Sequence, residues 1–138
     1  MRDIPVGTKG SFSILVSPEH LASRFKDSML PPVFATPMMV LAMENAALNA
    51  VRAFLEPGES VLGTKVDVSH VAPTPAGQIV RAEAEVLGVE GRVIRFAVTA
   101  WDEIDEIGRG THERTLVDLE RLERRLARKR AGEPRQQV

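Results

Sequence analysis

Cysteine is missing altogether from the 138 residues. Disulfide frameworks, thiolate zinc sites, iron–sulfur clusters and cysteine nucleophiles are thereby excluded. An excess of one charge is missing too. The 18 Lys and Arg against 19 Asp and Glu leave a formal net charge of −1, so bulk attraction to nucleic acid is not expected. The opening Met1-Arg2-Asp3-Ile4-Pro5 has no apolar run of the kind a secretory signal needs, which reads as a cytoplasmic protein. The longest weakly charged stretch, residues 29–49, is interrupted by Pro31, Pro32, Pro37 and Glu44. A membrane span would tolerate these poorly, and no membrane partner is expected. Also missing are a Gly-x-Ser-x-Gly elbow, a Gly-x-Gly-x-x-Gly turn, a phosphate loop and any internal repeat.

What is present is ordinary soluble-protein material, 43% apolar and 27% charged. The length suits one domain over residues 1–138, burying roughly two-thirds of its unfolded surface. Weak alternation of Phe12, Ile14 and Val16 predicts a strand over residues 6–16. Ser17-Pro18 and Thr36-Pro37 each offer an N-cap followed by proline at the first helical position. They predict a short helix over 18–25 and a long one over 38–55, ended by Glu56-Pro57-Gly58. Strands follow at 61–71, 78–87, 92–101 and 107–117, with hairpin-like spacers at 72–77 and 88–91. A charged helix, residues 119–130, begins the C-terminal helix and tail of 118–138.

Four successive strands on short connections must be antiparallel. A long helix that is apolar nearly all round must be largely buried. An antiparallel sheet wrapped around one long central helix, an α+β hotdog arrangement, satisfies both conditions.

Two titratable residues sit where polarity is costly. On a helical wheel at about 100° per residue, Asn45, Asn49, Arg52 and Glu56 form one polar stripe. Glu44 lies off that stripe, among Val40, Leu48, Val51 and Leu55. A carboxylate there must be paired within the chain or used by a site. On the next strand, period two puts His70 on one face with Leu62, Val66 and Val68. Such a histidine is either a satisfied core or interface residue or half of an acid–base pair. Thr36 is the expected cap of the central helix, at an end suited to a carbonyl oxygen gaining negative charge. Pro37 has no N–H, so the amides there would come from Met38 onward. Thr36 and Glu44 stand about 12 Å apart along that helix, too far to touch one atom unaided.

Three segments, taken in order, resemble the fluoroacetyl-CoA thioesterase-like family of hotdog proteins. They are Val33-Phe34-Ala35-Thr36-Pro37-Met38-Met39-Val40-Leu41-Ala42-Met43-Glu44, then Leu62-Gly63-Thr64 leading to Val68-Ser69-His70, then Asp105-Glu106-Ile107-Gly108-Arg109-Gly110-Thr111-His112-Glu113-Arg114. The resemblance spans about residues 5–125. It implies a homodimeric hydrolase that splits an acyl-CoA into a free acid and coenzyme A, with the active site between subunits. By position, Thr36, Glu44 and His70 match the family's catalytic residues. Phe34, Gly63 and Arg114 match substrate-binding positions. Coenzyme A enters as part of the substrate, and the resemblance implies no separate cofactor and no metal. Members specialised for very small halogenated acyl groups carry an aromatic residue ahead of the first segment, where this chain has Asp27 and Leu30. A non-catalytic acyl-CoA or acyl-carrier binding module is the alternative of another class.

The remaining signals are weaker. Asp102, Glu103, Asp105 and Glu106 fit no calcium loop and read as a solvated turn. His112 has no second histidine at ligand spacing, which disfavours zinc. The net positive charge of residues 118–130 reads as a solvated helix face, with attraction of coenzyme A phosphates as a minority reading.

Overall fold

The computed structural model describes residues 1–134; of the expected C-terminal tail, residues 135–138 lie outside them. In chain order come β1 (Lys9–Leu15), a 3-10 turn (Pro18–His20), α1 (Ala22–Phe25), α2 (Thr36–Val51), a second 3-10 turn (Arg52–Phe54), β2 (Glu59–His70), β3 (Ile79–Glu90), β4 (Val93–Trp101), β5 (Glu106–Asp118) and α3 (Leu119–Arg130). The five strands form one antiparallel sheet in the order β1-β3-β4-β5-β2. This is the hotdog arrangement, an antiparallel sheet curled around one long helix. None of the helices among the described residues is long and apolar enough to cross a membrane.

The helix packs on the sheet through small residues. Ala42, Ala46, Ala47 and Ala50 are buried, with Met39, Met43 and Val51 beside them. They meet Val80, Ala82, Ala84 and Val86 of β3 and Ile94, Phe96, Val98 and Ala100 of β4. At β1 the backbones nearly touch. A Cβ on Gly10 would stand 2.3 Å from the Ala50 nitrogen and 2.4 Å from the Ala46 oxygen, so only glycine fits there. The arc of α2 turned away from this core carries Val40 and Glu44, half-buried, and Leu41, exposed, while the half-buried Leu48 still packs against the core's margin. The expectation of a largely buried helix is therefore met on one side only.

The spacer 72–77 is not the hairpin it resembles. β2 and β3 are not neighbours, since β2 lies on the far edge beside β5. The segment joins that edge to the other half of the sheet and is pinned as it passes. The Thr74 hydroxyl donates to Asp102 Oδ2 at 2.7 Å, and its carbonyl accepts from the Phe34 N–H at 2.8 Å. Pro73 and Pro75 lack the N–H groups that strand pairing would need. The tight hairpin lies instead between β3 and β4, where Gly91 takes φ +62°.

Strand β2 carries a bulge between Gly63 and Lys65. The extra residue resets the alternation. Val66, Val68 and His70 pair with His112, Gly110 and Gly108, whereas Leu62 pairs with Thr115. Leu62 therefore faces opposite to the other three, which corrects the simple period-two reading. Gly63, opposite Arg114, takes the inner position instead.

Candidate functional site

The first cluster forms where α2 begins. Ala35, with φ −72° and ψ 138°, is the N-cap, and Thr36 is already helical. The expected capping role of Thr36 thus passes to Ala35, and no side-chain cap bond is made. The Thr36 hydroxyl is turned to β2 instead, where Oγ1 lies 2.8 Å from His70 Nδ1. Its own N–H has no hydrogen-bond partner among the described residues, while the Met38 and Met39 N–H groups both donate to the Ala35 carbonyl. The free amide at this helix end is therefore that of Thr36, not those from Met38 onward.

Three backbone bonds hold the approach to α2. The Ala22 N–H donates to the Val33 carbonyl at 2.7 Å, the Phe34 N–H to Thr74 at 2.8 Å and the Ala35 N–H to His20 at 3.0 Å. His70 is half-buried, and its Nε2 is buried without a partner. Burial holds its imidazole below the usual pKa, because the charged ring loses water there. The neutral ring is the form able to take a proton at neutral pH.

A cavity of about 370 Å³ opens beside this pair. Thr36 and His70 stand in its wall, with Ala22, Leu30, Val33 and Phe34 supplying apolar surface. Phe34 is only 1% exposed, so it is core and cavity wall at once.

The second cluster lies two turns further along α2. Glu44 Oε1 rests 2.6 Å from the point where a Cβ on Gly63 would begin. Arg114, buried on β5, donates from Nη2 to the Glu44 carbonyl at 2.8 Å. His112, two positions before Arg114, is buried beside them. Its Cε1 lies 3.4 Å from the same Gly63 point.

The structure therefore brings Thr36, His70 and Phe34 together, and separately Glu44, Gly63 and Arg114. His112 is the residue that sequence reasoning misses, because in the sequence it is a candidate only for metal ligation. The signal that could have found it is its spacing, since residues 112 and 114 share a strand face. Among the described residues, no group of three or more His, Asp or Glu is arranged to hold a metal ion. Asp102 uses its oxygens on Thr74 and on the Ile104 and Asp105 N–H groups, which is the turn the sequence suggested.

Thr36 and His70 form a nucleophile–base geometry, and Glu44 is a half-buried carboxylate whose own carbonyl accepts from the buried Arg114. A hydroxyl beside a neutral imidazole, and elsewhere a half-buried carboxylate, are residue types able to carry acyl transfer to water. The family model described as fluoroacetyl-CoA-specific thioesterase matches residues 16–120. The fluoroacetyl-CoA thioesterase of Streptantibioticus cattleyicolor is 48% identical over 99 residues, 72% of this chain and 71% of that protein. The solved structure of the fluoroacetyl-CoA thioesterase FlK superposes with a TM-score of 0.87 at 39% identity, covering 92% of this chain and 98% of that one. A thioesterase superfamily member from Thermus thermophilus superposes with a TM-score of 0.87 at 33% identity, covering 96% and 100%.

Proposed function

Because this chain belongs to the fluoroacetyl-CoA-specific thioesterase family and is an acyl-CoA thioester hydrolase, we propose that Thr36 and His70 open the thioester and that Glu44, from a second copy of the chain, directs water to finish the reaction. The observation behind this reading is the 2.8 Å separation of Thr36 Oγ1 and His70 Nδ1 in the wall of the cavity.

The thioester carbonyl enters beside Thr36. Thr36 Oγ attacks the carbonyl carbon as its proton passes to His70 Nδ1. The oxyanion is met by the free Thr36 N–H at the positive end of α2. The C–S bond breaks, and the thiolate takes the proton from His70 and departs as coenzyme A. An acyl ester remains on Thr36. Glu44 then removes a proton from water, the hydroxide attacks the ester carbon, and the acid leaves as Thr36 recovers its proton. Nothing beyond the coenzyme A moiety of the substrate is needed, and a free CoA thioester fits a cytoplasmic setting. Phe34 bounds the acyl pocket, whose apolar wall suits a short acyl chain. Gly63 and Arg114 set the carboxylate.

A second copy is invoked because Thr36 and Glu44 of one chain stand about 12 Å apart along α2. The uncovered parts of the molecule support it. Among the described residues, strand β2 has no strand on its outer edge. Leu62 and Val66 are 44% and 40% exposed, and Leu41 of α2 is 39% exposed. A homodimer joined antiparallel through β2, with His70 opposite the second copy's Gly63, covers these residues and delivers the second copy's Glu44 to the Thr36–His70 pair.

The test is thiol release from acetyl-, fluoroacetyl-, butyryl- and octanoyl-CoA. Thr36→Val, His70→Gln and Glu44→Gln should each stay folded and lose kcat by roughly 10²–10⁴-fold. Acid-quenched Glu44→Gln protein should carry the acyl mass on the Thr36 peptide. Wild-type turnover by Glu44→Gln, or acyl mass on another residue, overturns the assignment.

A further inference from the structure

His112 takes no part in the mechanism above, yet it is a histidine only 1% exposed. Its ring stacks on Phe96, centroids 5.8 Å apart and planes at 23°. Nδ1 lies 2.7 Å from the Lys65 carbonyl oxygen. A carbonyl can only accept, so Nδ1 carries the ring proton, and Nε2 of the neutral ring is left as an acceptor. That Nε2 is buried with no partner among the described residues, and so is Nε of Arg114. Two buried, unmatched polar atoms in one place are unusual.

The groups around the ring are few. Glu44 faces it from α2, and Arg114 and Glu113 act on it from β5. The Glu113 carboxylate lies 3.9 Å from the Lys65 ammonium of β2, and β4 offers Phe96. Glu44 Oε1 and His112 Cε1 stand 2.6 and 3.4 Å from a common point, the Cβ that Gly63 lacks. They are therefore no more than about 6 Å apart, by those two distances. An ionised carboxylate and a neutral Nε2 are both acceptors and cannot bond to each other. Nε2 is bonded to that Cε1, which puts it within about 7 Å of Glu44 Oε1, and one water with two hydrogen bonds of about 2.8 Å joins them once the flexible carboxylate turns toward the ring.

Resting on the reading that Glu44 activates water, we propose that His112 is a further catalytic residue. Its Nε2 accepts one hydrogen of the hydrolytic water and Glu44 accepts the other, while Arg114 Nε donates to the water oxygen. All three bonds of the water are then defined. As its oxygen bonds to the acyl carbon, one proton passes to Glu44 and the other stays directed at His112. Gly63 is the position that leaves the room.

Two substitutions separate this role from a structural one. Asparagine at 112 keeps an N–H near Nδ1 for Lys65 but supplies nothing at Nε2. Glutamine puts an amide near Nε2 and gives up the Lys65 bond. With thiol release as the readout, His112→Asn should lower kcat by about ten- to a hundredfold, with KM little changed and Tm within a few degrees of wild type. His112→Gln should recover part of that kcat. A histidine that only braces β2 gives the reverse order, and wild-type kcat in His112→Asn overturns the proposal. Should both variants fail to fold, a crystal structure of the unaltered enzyme decides. An ordered water bonded to Glu44 and His112 Nε2 supports the proposal, and a dry site or a protein partner on Nε2 ends it. Full activity in Glu44→Gln sinks the underlying reading. An inactive Glu44→Gln beside an active His112→Asn sinks the water site alone.

Discussion

Glu44 and Gly63 fit each other like a side chain and the space cut for it, since Glu44 Oε1 occupies a position 2.6 Å from the missing Cβ. The obstructing atom is the far end of a flexible side chain, so Gly63→Ala can fold by turning the carboxylate aside. It should lower kcat about ten- to a hundredfold while Tm moves only a few degrees. Gly10→Ala is the contrast. There the new methyl meets the α2 backbone at 2.3 Å, which cannot step away, and Tm should fall well beyond that of Gly63→Ala. Thermal melts and steady-state assays on the two proteins check the ordering. Equal losses of stability would contradict it.

Much of the fold could be read before any coordinates. The proline-marked helix starts, the antiparallel strands and the basic final helix all lie in local pattern, and α3 ends at Arg130 as expected. Less legible was whatever depends on register. The bulge after Gly63 inverts Leu62, and the strand glycine that marks it does not by itself fix the register. That Arg114 reaches the Glu44 carbonyl, 70 positions away in the chain, follows from strand order and cannot be seen in spacing. Thr36 stands just inside α2 and not at its cap, because a hydroxyl at a helix start can bond the helix or something outside it. His70 took it.

Stability should fall on the acid side of neutrality. Burial holds both His70 and His112 below the ordinary imidazole pKa of about 6.5. The unfolded chain takes up protons near pH 6.5 that the folded one resists. The unfolded state binds more protons there, and the stabilising contribution is present above that pH and lost as pH falls through it. Melting at pH 5.5 should lie about 2–6 °C below melting at pH 7.5. In His70→Gln the difference should shrink. A flat profile between these pH values would contradict the assignment.

Arg114 should matter to both catalysis and folding. Its guanidinium is buried, and burial pulls its pKa down despite the nearby Glu44 carboxylate. Arg114→Met fills the space but leaves the Glu44 carbonyl without its donor and the Glu44 carboxylate without its nearby cation. It should therefore melt clearly below wild type, while the folded protein loses about tenfold or more in kcat. Arg114→Lys should not restore it, because one ammonium cannot copy both Nη2 on the Glu44 carbonyl and Nε in the pocket. Recovery of full activity by lysine would reduce Arg114 to a point charge.

Mixing two dead proteins tests whether Thr36 and Glu44 of one site come from different chains. Suppose each site pairs the Thr36 of one copy with the Glu44 of the other. A mixed dimer of Thr36→Val and Glu44→Gln chains then holds one site with both substitutions and one site with neither. Random reassortment of equal amounts makes half the dimers mixed, and each has one of its two symmetric sites intact, so activity should return to about a quarter of wild type. Were both residues drawn from the same chain, every site would keep one substitution and the mixture would stay as inactive as its parts. Unfolding and refolding the chains together ensures exchange, and a Val66→Asp variant, charged on the exposed β2 edge, should run as a monomer by gel filtration and hydrolyse nothing. A monomeric Val66→Asp protein with full activity would remove the second copy from the mechanism.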